Sequence, residues 1–162
     1  MSLYSFLLLR FARGLVGAFR DAEAFVFHTR LVHITEALKE SDLRRVREKL
    51  AVLSLGWAGG TRIGESLQAF ERGYAGRLLT GRTVVIVMSD GFDTGEPAQL
   101  VEALRRIRAR AWRLVWLNPL LGREGYEPLA GGMQAALPLL DRFLPAHDLP
   151  SLQALEHELA AL

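Results

Sequence analysis

Apolar and polar residues alternate along the chain with two different periods, and these periods predict its helices and strands. Over residues 7–19 the apolar positions recur at helical spacing with arginines between them, which predicts an opening amphipathic helix. Residues 22–28 and 31–35 have strand-like patterns, and the short gap between them suits a tight antiparallel turn. Another helix is predicted to begin near Ser41 as its N-cap and to bury apolar residues from 43 to 53.

The strand predicted at residues 83–88 has the strongest pattern, because its last five residues are all apolar. A run without polar alternation is typical of a strand buried on both faces of a parallel sheet. A helix beginning at Thr61 precedes this strand. A helix with Pro97 in its first turn follows it, where the missing N–H of proline does no harm. Residues 113–117 form a further strand, which ends at Asn118 and Pro119.

The last part of the chain is less regular. It is predicted to contain a loop at 122–132, a helical turn at 133–137, an extended piece at 139–144 and a final helix opening at Pro150. No repeat or linker divides the sequence, so residues 1–162 are predicted to form a single domain. Strands that alternate with helices predict an α/β fold, with a doubly wound, mostly parallel sheet and helices on both faces.

Composition narrows the chemistry only a little. Half of the 162 residues are apolar, the formal net charge is +2 and there is no cysteine, which excludes disulfides and thiolate metal sites. The apolar stretch at residues 3–9 is too short to span a bilayer, and the arginines follow it instead of preceding it as in a signal peptide. These features predict a soluble, cytoplasmic protein that does not bind membranes.

Arginine is concentrated around the helix that follows the buried strand. Five arginines lie close together there: Arg105, Arg106, Arg108, Arg110 and Arg113. Since the net charge is only +2 and no aromatic residues interleave as in a base-stacking surface, the cluster indicates a solvated helix face. Nucleic acid is therefore not an expected partner.

Two glycine-containing loops carry the polar residues that indicate a site. The sequence SDGFDTG follows the buried strand and places Asp90 at the carboxyl end of the sheet, where open α/β sheets bind ligands. The sequence WAGGTRIGESL places the Thr61 hydroxyl at a helix start. A hydroxyl and a carboxylate on separate elements predict a site for one hard cation such as Mg²⁺. Alternatively Thr61 is an N-cap, Asp90 satisfies its own turn and Asp93 is a capping or solvated carboxylate.

These two segments resemble, in this order and at this spacing, a von Willebrand factor A (VWA) domain, and more narrowly the bacterial CoxE-like branch. Three further stretches share the resemblance, so that it covers almost the whole chain: FVFHTRLVHIT, LVWLNPL and GMQAALPLLDRFLPAHDLPSL. The resemblance implies a metal-ion-dependent adhesion site (MIDAS), in which a D-x-S-x-S loop, a threonine and an aspartate hold a divalent cation, usually Mg²⁺. Thr61 matches the family threonine and Asp90 the family aspartate.

The same resemblance implies a non-enzymatic accessory protein. Family members use the metal site to bind a protein partner, whose acidic side chain typically completes the metal's shell. Many bacterial members of this branch work with AAA+ ATPases of the MoxR type to load or remodel metal centres. The implied partner of this chain is therefore a MoxR-type AAA+ ATPase or a client metalloenzyme under maturation.

One part of the family pattern is not found in this sequence. In relatives the D-x-S-x-S loop ends the first, central strand and leads directly into the first helix, whereas this sequence begins at that helix. We therefore expect an N-terminally truncated domain that lacks the first central strand; a start assigned at an internal methionine is favoured over a truly shorter protein. A truncated sheet could close by pairing residues 22–28 with 83–88, or by borrowing an edge from another copy. With Thr61 and Asp90 alone, Mg²⁺ is expected to bind weakly or not at all.

Two other functions stay open at this point. The first is a magnesium-dependent hydrolase or phosphotransfer enzyme, in which Asp90 is the nucleophile or a metal ligand. It requires a second carboxylate or a lysine at a neighbouring strand end, and Lys39 and Lys49 both fall in a charged helical region instead. The second is an interaction domain that works without metal.

Histidine and tryptophan add little to the prediction. His28 and His33 flank a turn without a third donor nearby and are interpreted as surface or edge residues. Trp57, Trp112 and Trp116 are interpreted as core or loop-packing residues, although Trp57 is next to the proposed site.

Overall fold

The computed structural model describes residues 3–42, 44–46, 48, 60–148, 150–151 and 153. Within these ranges the helices are α1 (Leu3–Ala18), α2 (Thr35–Leu38), α3 (Ile63–Phe70), α4 (Gly76–Leu78), α5 (Pro97–Arg108) and α6 (Gly131–Ala136). A π-helical turn, Glu71–Ala75, joins α3 to α4, and a 3₁₀ turn, Leu137–Leu139, follows α6. The strands are β1 (Phe25–Phe27), β2 (Leu31–His33), β3 (Val84–Met88), β4 (Arg113–Asn118) and β5 (Arg142–Pro145).

The strands form two sheets. Strands β1 and β2 make an antiparallel hairpin in which Val26 lies opposite Val32. Strands β3, β4 and β5 form a parallel sheet in that order, with Ile86 opposite Val115. The predicted hairpin and the predicted parallel arrangement are both confirmed, although the strands of the hairpin are shorter than their sequence patterns.

Helices cover both faces of the parallel sheet. Along β4, Leu114 and Trp116 belong to a core that also contains residues of α3, α5 and α6. Val115 and Leu117 alternate with them and belong to a second core, against which α1 packs. Because each face has its own apolar core, the strand is apolar at consecutive positions. The doubly wound α/β fold predicted from the sequence is confirmed.

Helix α1 contacts both sheets through different side chains. One set packs with the parallel sheet: Leu7, Leu8 and Phe11. The other set packs with the β1–β2 hairpin: Leu9, Ala12 and Val16. Among the described residues no strand pairing joins the two sheets, so the first of the two possible closures, pairing of residues 22–28 with 83–88, is not found. The hairpin is instead attached through α1 and through Phe25, Phe27 and Leu31, which pack on the core that contains α3.

Smaller differences concern element ends. Asp42, not Ser41, accepts the first helical amide, because its Oδ1 lies 2.8 Å from the Arg44 nitrogen. A carboxylate is a strong N-cap and its charge suits the helix N-terminus. Most of the apolar positions predicted between 43 and 53, and those of the final helix after Ser151, lie outside the described residues, as does Trp57. No described helix is both long and apolar enough to cross a membrane.

A polar cluster fixes the start of the hairpin. The Thr35 hydroxyl donates to Glu23 Oε2 at 2.6 Å and accepts from the Ala24 N–H at 2.8 Å. His33 Nε2 lies 2.6 Å from the same Glu23 oxygen, and its ring stacks on Phe25. Hydrogen bonds from Thr35 and then from His33 lower the pKa of Glu23 from its ordinary value. His33 is therefore an edge residue, as predicted.

Replacing Glu23 by glutamine should lower the free energy of unfolding by about 1 kcal/mol at neutral pH, because the two hydrogen bonds then meet an uncharged group. Since the folded-state pKa is depressed, this stabilisation is fully present above the ordinary value of 4.5 and is lost as the pH falls through the lower folded-state value. Urea denaturation from neutral pH to about pH 3 measures both effects. Glu36→Gln is the control, because the Glu36 side chain is 82% exposed and its replacement should change little. A Glu23 effect that stays constant at low pH would contradict the assignment.

Candidate functional site at the carboxyl edge of strand β3

Strand β3 ends in a sharp turn that brings Asp90 to the edge of the sheet. The Ser89 N–H continues the sheet by donating to the Leu117 carbonyl at 3.0 Å. Gly91 then has a φ of +83°, and a Cβ there would lie 2.6 Å from the Met133 sulfur. Only glycine fits this position, because both the backbone conformation and the space exclude a side chain. The turn therefore packs directly on α6.

Side chains of β4 and its following loop hold the backbone around Asp90. The Trp116 indole N–H donates to the Ser89 carbonyl at 2.9 Å. The Asn118 amide donates to the Asp90 carbonyl at 3.1 Å, and the Tyr126 hydroxyl donates to the same oxygen at 3.2 Å. Asn118 is fully buried, and its own carbonyl oxygen accepts from the Leu120 N–H at 2.8 Å. Every polar group of this buried amide is therefore used to fix the turn.

The side chain of Asp90 is only partly used by the protein. Its Oδ1 accepts a hydrogen bond from the Phe92 N–H at 3.1 Å. Its Oδ2 has no hydrogen-bond partner among the described residues, and the residue is partly exposed. The alternative interpretation, that Asp90 satisfies its own turn, is thus correct for one oxygen and leaves the other open to a ligand.

The loop of Thr61 lies against the later part of the loop that carries Asp90. Gly60 has a φ of +81°, and a Cβ there would lie 2.7 Å from the Thr94 methyl group. The Thr61 carbonyl accepts from both the Thr94 N–H and the Thr94 hydroxyl, each at 2.9 Å. The Thr61 hydroxyl has no hydrogen-bond partner within the described ranges. Helix α3 begins at Ile63, and no side chain of its own N-cap residue caps it, so Thr61 is not its N-cap.

Asp93 provides the cap of α3 from the neighbouring loop. Its Oδ1 accepts from the Ile63 N–H at 2.9 Å and from the Gly95 N–H at 3.0 Å. Its Oδ2 accepts from the Gly64 N–H at 3.0 Å. A carboxylate at a helix N-terminus also interacts favourably with the helix dipole. The capping interpretation of Asp93 is confirmed, but the helix that it caps belongs to the other loop.

The two predicted site residues are therefore carried by adjoining loops. Hydrogen bonds from Thr94 to Thr61 and from α3 to Asp93 join the loops directly. What these loops offer to a ligand is one hydroxyl and one carboxylate oxygen. No group of three or more histidine, aspartate or glutamate side chains is placed to hold a metal ion in the described part of the chain. Two donors do not by themselves form a magnesium site, and the metal-binding role of Thr61 and Asp90 stays a prediction.

Residues 1–152 match the family described as VWA domain containing CoxE-like protein. The chain belongs to the CoxE-like VWA family. No curated protein matches it. VWA domains of this kind are in general non-catalytic modules that bind other proteins in a metal-dependent way.

Membership of the CoxE-like VWA family agrees with the resemblance seen in the sequence. Sequence reasoning nevertheless missed several residues that shape the site. The sequence pattern indicates only a strand end at Asn118 and a loop around Tyr126. A polar residue directly after an apolar strand, at the edge where Asp90 was expected, is the signal that could have identified Asn118.

Replacing Asp93 by alanine should lower the free energy of unfolding by about 2 kcal/mol, because three backbone N–H groups lose their acceptor. Asp93→Asn should lower the free energy of unfolding by less, since the amide oxygen still accepts hydrogen bonds. Glu96→Ala is the matched control. The Glu96 carboxylate lies three residues after Asp93 in the sequence and makes no capping hydrogen bond to α5. Urea denaturation with a circular dichroism readout compares the three variants. Equal stability of the Asp93→Ala and Glu96→Ala proteins would refute the capping role.

Proposed function

We propose that this chain is a protein-binding adaptor whose contact surface is the carboxyl edge of β3, centred on Thr61 and Asp90. One observation carries the proposal. Both residues have their backbones fixed by neighbouring side chains, while a side-chain oxygen of each has no partner among the described residues. Groups that are held in place and left unpaired are available to a ligand without reorganisation.

The surroundings of these two oxygens suit a protein partner. Phe92, two residues after Asp90, is 56% exposed, and aromatic side chains are enriched where proteins bind each other. An open cleft of about 350 Å³ adjoins the Thr61 loop and is lined by Arg62, Glu65, Thr94, Gly95, Glu96 and Gln99. The two loops thus carry an exposed aromatic side chain and a polar cleft, and both kinds of feature occur in protein interfaces.

Family membership supports a narrower proposal for the partner. We propose that the partner is a MoxR-type AAA+ ATPase or a metalloenzyme under maturation, and that the adaptor assists this maturation in the cytoplasm. An acidic side chain of the partner would supply an oxygen donor that Thr61 and Asp90 lack. Magnesium binds oxygen ligands and keeps several waters, so a shared shell is chemically reasonable.

The neighbouring strand end favours an adaptor over an enzyme. A hydrolase or phosphotransfer mechanism through Asp90 requires a second carboxylate or a lysine at a neighbouring strand end. The adjacent strand β4 ends in Asn118, whose amide is fully used in hydrogen bonds. Lys39 pairs with Glu36 on α2 at 2.7 Å. Phosphatase activity on a generic phosphomonoester, if it disappeared in Asp90→Asn, would favour the enzyme instead.

Removing either open oxygen should weaken partner binding. Against a purified MoxR-type ATPase from the same organism, Asp90→Asn and Thr61→Val should each reduce affinity about tenfold or more, because a desolvated polar contact is lost. Biolayer interferometry measures the affinities. Thr61→Ser keeps the hydroxyl and should bind like the parent chain, and Asp21→Asn removes an exposed carboxylate elsewhere. If Thr61→Val bound as tightly as Thr61→Ser, the domain would bind its partner without this site.

Magnesium should bind the isolated chain weakly or not at all. With one hydroxyl and one carboxylate as donors, we expect a dissociation constant weaker than about 1 mM, because Mg²⁺ gives up its waters reluctantly. Isothermal titration calorimetry with MgCl₂ tests this directly, and Asp90→Asn is the comparison. Micromolar affinity that depends on Asp90 would overturn the expectation.

A further inference from the structure

The end of the parallel sheet opposite to Asp90 is strongly basic. Three segments meet there: residues 71–82, 102–113 and 141–142. They contain nine arginines, three carboxylates and no lysine. The whole chain has 20 basic and 18 acidic residues, so the remainder holds 11 basic and 15 acidic residues. The small net charge of the whole chain is therefore the sum of strongly basic segments and a net acidic remainder.

Contacts show that these segments form one surface. The Trp112 N–H, just before β4, donates to the Thr83 carbonyl at 2.9 Å, just before β3. Asp141, just before β5, accepts from the Leu114 N–H at 2.8 Å and contacts the Arg108 guanidinium at 3.4 Å. The amino ends of all three parallel strands are thus joined by hydrogen bonds, and α5 ends beside them.

The positive groups point outward, whereas two of the three carboxylates are largely buried. The side chains of Glu71 and Asp141 are 12% and 18% exposed, and their partners Arg106 and Arg108 are far more exposed. Five exposed arginines have no carboxylate partner within the described ranges: Arg72, Arg77, Arg82, Arg105 and Arg110. The surface therefore keeps an excess of unpaired guanidinium groups.

An exposed tryptophan lies within this basic surface. Trp112 is 41% exposed, although it was predicted to be a core or loop-packing residue. The Arg113 guanidinium lies 4.8 Å from the centre of its ring and donates to its backbone carbonyl. Tryptophan and arginine are the residues most enriched among the energetically dominant contacts of protein interfaces.

We propose that this amino-terminal end of the parallel sheet is a second protein-binding surface, which accepts an acidic protein. Guanidinium groups bind carboxylates through two parallel hydrogen bonds and are less strongly hydrated than ammonium groups. The surface is separate from the carboxyl edge, and its test is independent of the function proposed for Thr61 and Asp90.

Two features favour an acidic protein over nucleic acid. The Arg113 guanidinium already occupies one face of the Trp112 ring, which leaves less of the ring for stacking a base. Glu102 is 51% exposed beside Arg106, and its charge repels a continuous phosphate backbone. A protein surface of mixed charge accommodates such a carboxylate more easily.

Binding of labelled poly-L-glutamate to the full chain tests the proposal. Fluorescence anisotropy at about 0.15 M salt should show binding that the double change Arg105→Glu with Arg110→Glu weakens about tenfold. The control pair, Arg20→Glu with Arg30→Glu, makes the same charge change on exposed arginines elsewhere. Its affinity for poly-L-glutamate should stay within about twofold of that of the parent chain. Circular dichroism verifies that both variants fold.

The same chain is titrated with a labelled DNA duplex and with vesicles of phosphatidylcholine and phosphatidylserine. The proposal is supported if the chain binds the duplex and the vesicles more weakly than it binds poly-L-glutamate. Three results would overturn it. They are tighter binding of the duplex or of the vesicles, no binding of poly-L-glutamate, or an equal loss of affinity for poly-L-glutamate in the control pair.

Discussion

The carboxylate of Asp93 holds together the two loops on which the candidate site depends. It accepts amide hydrogen bonds from the first turn of α3 and from its own loop, and so replaces the side-chain cap that α3 lacks. Without this bridge the amides of Ile63 and Gly64 would be left without an acceptor. Because Asp93 caps the helix, the Thr61 hydroxyl is not needed for that purpose.

The second support of the site comes from the neighbouring strand. Trp116 lies in the core, yet its indole N–H reaches the backbone beside Asp90. Asn118 and Tyr126 hydrogen-bond each other as well as the Asp90 carbonyl. Fully satisfied polar networks of this kind rigidify their surroundings. The open oxygen of Asp90 is thus presented by a rigid turn, which is what a recognition surface requires.

Features encoded locally were predictable from the sequence, and features that depend on distant contacts were not. The apolar run of β3 and the position of Pro97 predicted their elements correctly, because both signals lie within a few residues. The capping of α3 by Asp93 gave no such signal, since donor and acceptor are about thirty residues apart. The separation of the two sheets also depends on how α1 packs, which periodicity cannot show. The general rule for strand ends predicts the position of Asp90, whereas the pairing of Thr61 with Asp90 rests on a hydroxyl at a helix start and on the family resemblance.

The open edge of β3 has a consequence for how this protein behaves in solution. Strand β3 pairs only with β4 among the described residues, so its other edge presents backbone groups without a strand partner. Such an edge is a template for any extended polypeptide, including misfolded neighbours. Addition of a strand from another polypeptide to this edge is therefore the route by which we expect the chain to aggregate when it is concentrated.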